Sequence, residues 1–116
     1  TKTMQAQWVK NTNGDWCHLE VVDLSNVTAI GVYVIWHEGS PSRTVRVGQG
    51  VIKDRLTAHR ADPDILAFRK YGKLRVTWAA VPAADLDGVE RYLANCYRPL
   101  VAERFPDAAP VQVNLP

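Results

Sequence analysis

Apolar and polar positions alternate most strictly from Ala29 to His37, where Val32, Val34 and Trp36 fall on one face of an extended chain and Tyr33, Ile35 and His37 on the other. The run is rich in β-branched and aromatic side chains and ends at Glu38-Gly39-Ser40-Pro41-Ser42, so it predicts a strand closed by a turn. Thr44 to Gly48 alternates again, as the returning strand of a hairpin, and groups Thr44, Arg46 and Gly48 opposite Val45 and Val47. A large cation between valines is expected to point to water or to an anion. Over residues 51–61 the period lengthens to that of a helix, with Ile52, Leu56 and Ala58 or His59 inward. Arg55 and His59, four apart, stack on one face of it.

Asp62-Pro63-Asp64 breaks that helix; Asp62 is a cap and Pro63 the first residue of a short second helix through Phe68, which Tyr71-Gly72 stops. Lys73 to Val81 predicts a third strand, with Leu74, Val76 and Trp78 against Arg75 and Thr77, and Pro82 ends it. Ala84 to Arg98 reads as the longest amphipathic helix, its stripe being Leu86, Val89, Leu93 and Cys96. Glu90 lies beside that stripe, in line with Leu86, Ala94 and Tyr97. Val111 to Leu115 is a candidate last short strand. The expected fold class is α+β: a small antiparallel central sheet of three strands, with a short C-terminal strand as an optional fourth, flanked by about three helices.

Residues 1–28 fall outside this pattern and read as an N-terminal extension packing on a domain of residues 29–116. Trp8, Trp16 and Leu19 would form an apolar edge, with a turn at Asn11 to Asp15. A chain of 116 residues, 47% apolar, is the size of one domain and buries roughly two-thirds of the surface its unfolded form exposes. Two cysteines are too few for a disulfide framework, and no run reaches the length of a membrane span or forms a signal peptide. A cytoplasmic protein without membrane attachment is expected.

Charge changes the picture more than composition does. Residues 43–75 hold nine Lys/Arg against three Asp, a local net of +6 inside a chain of net +2. Such a field favours polyanions. Its ordinary alternative is a solvated face balanced by internal pairs.

Gly31-Val32-Tyr33, followed thirteen residues after Tyr33 by Arg46-Val47-Gly48, then by Gln49-Gly50, Arg55 and His59, resembles the GIY-YIG nuclease superfamily. The resemblance covers residues 30–115. It implies that fold and a site made of Tyr33, Arg46 in place of the second motif tyrosine, Arg55, His59, Glu90 and Asn114. By the same likeness the domain is a metal-dependent endonuclease hydrolysing phosphodiester bonds, in DNA ahead of RNA, with Mg²⁺ or Mn²⁺ held by Glu90. The alternative is a catalytically inactive module that binds nucleic acid or a protein partner. Specificity would come from a homodimer or a targeting partner.

The residue types suit that chemistry. Phosphodiester hydrolysis needs a cation, an activated water and donors facing the charge that grows on the phosphoryl oxygens. Arg55 presents a fork of donors matching phosphate, His59 can orient water or move a proton, and Arg43, Gly48, Lys53 and Arg60 would contact the nucleic acid. Arg46 cannot serve as a base. Ionising a tyrosine at neutral pH costs roughly 4 kcal/mol. A guanidinium near Tyr33 offsets up to about that much, so Arg46 is expected to lower the Tyr33 pKa and leave Tyr33 as base, with His59 as the fallback. Read singly, each of these residues also has an ordinary structural explanation.

Overall fold

A computed structural model describes residues 3–101 and 104–116. Residues 1 and 2, which begin the 1–28 extension, and residues 102 and 103 of the 29–116 domain lie outside the described residues. The chain forms β1 (Cys17–His18), β2 (Ile30–His37), β3 (Arg43–Val51), α1 (Ile52–His59), α2 (Pro63–Leu66), β4 (Leu74–Ala80) and α3 (Leu86–Tyr97). The sheet is antiparallel and four-stranded, in the order β1-β4-β2-β3. The expected three strands are all present; the fourth is β1, which comes from the extension. The C-terminal segment makes only an isolated parallel bridge, Met4 with Val113.

Each face of the sheet is covered, so the strict alternation of β2 sorts its side chains between two cores. Tyr33, Ile35, Leu74, Val76 and Trp78 pack with Ile52 and Leu56 of α1 and with Leu19 and Leu24 of the extension. Val32, Val34 and Val47 pack with Val89 and Leu93 of α3. The extension is thus part of both cores: Cys17 and Leu19 are buried beside β4, while Met4, Ala6 and Trp8 lie against the α3 side. Backbone bonds fix its course, Val9 N–H to the Trp78 carbonyl and Leu19 N–H to the Leu74 carbonyl, each at 3.0 Å.

The strand β3 departs from the expected alternation. Ile35 pairs with Arg46 but Trp36 pairs with Thr44, which leaves Val45 as a bulged extra residue. Val45 therefore joins the Tyr33 core and Val47 the opposite one. The outer edge of β3 is closed where Leu100 and Val101 donate to the carbonyls of Thr44 and Val45. Asp62 caps α2 as expected, accepting from Asp64 N–H at 2.9 Å with Pro63 behind it. Among the described residues no helix is long and apolar enough to cross a membrane, and Cys17 and Cys96 are free thiols.

Candidate active site

The hairpin of β2 and β3 and the helix that follows it set the first half of the site. Tyr33 lies opposite Gly48 in the register, and a Cβ on Gly48 would fall on the Tyr33 ring and hydroxyl. Only a residue without a side chain lets the phenol cross β3. Gly50, with φ +132°, then turns the chain into α1 and lies against the Arg55 side chain. On α1 the i, i+4 pair Arg55 and His59 faces back to the strand. His59 Nε2 is 2.5 Å from the Tyr33 hydroxyl, with both side chains buried.

Burial pushes the Tyr33 phenol above the ordinary tyrosine range, and hydrogen bonding and charge from Arg55, then Arg46, only partly oppose this. Arg46 acts in the expected downward direction, but the loss of water around the ring outweighs it and the net shift is upward. Tyr33 is protonated at neutral pH. Arg46 is itself buried, at 5% exposure, and so does not point to water. Arg55 Nε is buried with no hydrogen-bond partner among the described residues, which is unusual for a group that presents a fork of donors.

The second half comes from α3, on the other side of the sheet. Glu90 is buried at 8% exposure, and desolvation raises its pKa. A hydrogen bond from Gln49 and the charges of Arg46 and Arg55 pull it back, while Asp87 adds to the rise. The same two arginines thus act on both Tyr33 and Glu90. Gln49 Nε2 donates to Asp87 Oδ1 at 2.7 Å and to Glu90 Oε2 at 3.3 Å, tying β3 to one turn of α3. Together these contacts gather Tyr33, Arg46, Arg55, His59 and Glu90 at the Gly48–Gly50 end of β3.

No protein-family model, curated protein or solved structure matches the chain.

Other candidate residues take structural positions. Asn114 accepts from Ala6 N–H at 2.6 Å and donates to the Ala6 carbonyl at 3.0 Å, and its own carbonyl takes the Trp8 indole N–H at 2.8 Å. Its amide staples the two ends of the chain instead of orienting a site neighbour. Asn114→Ala is expected to cost about 1–3 kcal/mol in urea unfolding, for two lost hydrogen bonds, while any nicking rate stays unchanged. Arg43 lies at the far end of β3, donating to His37 Nε2 at 3.1 Å and stacked over Tyr71, so it is remote from Tyr33. Arg60 donates to the Val22 carbonyl at 2.9 Å and fixes the extension. Gly48 is buried under Tyr33, and its face toward α1 is closed to a phosphate. Lys53 is exposed on α1, away from the Arg55–His59 face, with its ammonium 3.5 Å from the Ser25 carbonyl.

Two participants escape sequence reasoning. Gln49 sits inside the motif without a role, and Asp87 reads as a charge favouring the α3 N-terminus. The available signal was the i, i+3 spacing of Asp87 and Glu90, with Gln49 on the same sheet face as Val32.

Among the described residues no group of three or more His, Cys, Asp or Glu side chains could hold a metal. A cation here would have Glu90 and Asp87 at most. That donor set suits a hard ion that keeps most of its waters and takes further oxygens from a phosphate.

Proposed function

We propose that the chain is a metal-dependent endonuclease domain of GIY-YIG type, hydrolysing phosphodiester bonds in nucleic acid, with DNA as its substrate. The observation that carries this reading is the buried Tyr33–His59 contact at 2.5 Å beside the buried Arg46 of β3, the strand to which Gln49 ties the buried Glu90 at 3.3 Å. Two guanidiniums whose charge reaches both a proton-transfer pair and a carboxylate suit the charge that grows on a phosphoryl group.

Arg55 binds the scissile phosphate, and Arg46 adds charge against the growing negative charge. The proton of the attacking water passes through the Tyr33 hydroxyl, buried in the resting fold and uncovered as substrate binds, to His59 Nε2, while the P–O bond to the sugar breaks and the departing oxygen takes a proton from solvent, so no free phenolate is needed. Glu90, with Asp87 beside it, would hold Mg²⁺ or Mn²⁺, which would supply Lewis-acid stabilisation of the phosphoryl oxygens. Gln49 Nε2 holds the two carboxylates side by side through its two donated hydrogen bonds.

Incubation with supercoiled plasmid and Mg²⁺ or Mn²⁺ is expected to give open circles, and EDTA to stop the reaction. Salt-dependent DNA binding with no nicking in either metal would replace this reading by a binding module on the same basic face.

A further inference from the structure

At the other end of the β3–α3 contact lies a cleft of about 530 Å³, lined by Trp16, Val34, Trp36, Arg43, Tyr97 and Arg98 among others. No part of the phosphodiester chemistry uses it. Trp16 and Trp36 meet edge to face at 5.5 Å, Lys10 Nζ sits 4.4 Å from the Trp16 ring, and no Asp or Glu side chain is among the described lining residues. Three aromatic rings suit a planar base, and the Arg98 guanidinium beside them suits the charge of an adjoining phosphate.

The cleft lies along α3 from the candidate site and shares no lining residue with it. Glu90 and Tyr97 are seven residues apart on one face of α3, about 10 Å along its axis. Val34, in the cleft wall, belongs to the same core face as Val89 beside Glu90.

We infer that this cleft takes an unstacked nucleobase of a single strand, a few nucleotides from the phosphate held at Arg55. The occupant's being a strand of nucleic acid rests on the proposed function. The rings supply stacking that tolerates any base, and Arg98 meets a flanking phosphate. This makes single-stranded or frayed nucleic acid the favoured substrate form.

The test is binding in EDTA, so that a failure of catalysis does not touch it. Tryptophan fluorescence would follow titration with tetrathymidylate, with an abasic tetranucleotide of equal charge, and with thymidine monophosphate. Tetrathymidylate should bind about tenfold or more tighter than the abasic chain and than the mononucleotide. Trp36→Ala and Tyr97→Ala should each shrink the base-dependent ratio toward one, in protein whose circular dichroism stays that of the wild type. Arg98 has φ +49°, a left-handed conformation that glycine adopts freely, so Arg98→Gly removes the guanidinium without straining the helix end. It should weaken both oligonucleotides alike and lower the salt slope by about one. Equal affinity for base-bearing and abasic chains would overturn the inference, as would tighter binding of the mononucleotide or a ratio unmoved in Tyr97→Ala.

Discussion

Glu90→Gln is expected to lower metal-dependent nicking by about 10³-fold or more while making the protein more stable at neutral pH. The two effects share one cause. Burial raises the Glu90 pKa even though Gln49, Arg46 and Arg55 all favour its ionised form. The folded state therefore holds the carboxyl proton more tightly than the unfolded chain does. Stability from this group is fully present below the ordinary carboxylate range and is lost as pH rises through the raised folded value. Above that window the protein keeps a desolvated anion that glutamine would not impose.

Urea unfolding at pH 4 and pH 8 checks the sign. The variant should match the wild type at the lower pH and exceed it at the higher one. Millimolar Mg²⁺ should raise the wild-type unfolding midpoint, since an ion bound only by the folded state stabilises it, and should leave Glu90→Gln unmoved. Full nicking activity in the variant would remove Glu90 from the site. A variant less stable at pH 8 would show that the Arg46 and Arg55 charges depend on Glu90 more than Glu90 suffers from burial.

The parts of this molecule that were legible in the sequence are those where one short-range rule decides the outcome. The period of two in β2 placed Tyr33 and Val34 on opposite faces, and both faces are filled as that period requires. The i, i+4 spacing aligned Arg55 with His59, and the Asp62-Pro63 pair started α2 where a cap and a fixed φ demand it. What stayed hidden depends on contacts between distant segments. A two-residue β1 has no period to detect, and it exists because Cys17 and His18 find Val76 and Arg75 on β4. The bulge at Val45 inverts one valine and follows from pairing with β2, not from local composition. Asn114 matched a motif position, yet its partner is Ala6, 108 residues earlier in the chain. Arg46 was rightly assigned a charge effect on Tyr33, but the size of the opposing desolvation could be seen only once α1 and β3 closed over the ring.

Gly48→Ala should abolish activity by displacing Tyr33, and should cost about 3 kcal/mol or more, at the upper end of overpacking penalties. Gly48 has no positive φ, so the requirement is steric and not conformational. The added methyl would fall on the Tyr33 hydroxyl and ring carbons, and Tyr33 is fully buried with Ile35, Val45, Ile52 and Leu56 in the same core. The ring has nowhere to retreat without opening that core and leaving His59 Nε2. For a domain of this size the loss corresponds to a fall in Tm of about 12 °C or more.

A double-mutant cycle separates this clash from any other defect of the strand. In a Tyr33→Ala background the space above residue 48 is vacant, and Gly48→Ala should then be neutral or stabilising by about 0.5–1 kcal/mol, the ordinary gain of alanine over glycine within a strand. An equal penalty in both backgrounds would mean that the strand backbone, and not the phenol passing over it, requires glycine at this position. The coupling measured by the cycle therefore reports how firmly β3 holds Tyr33 against His59, which is the geometry that proton transfer to His59 depends on.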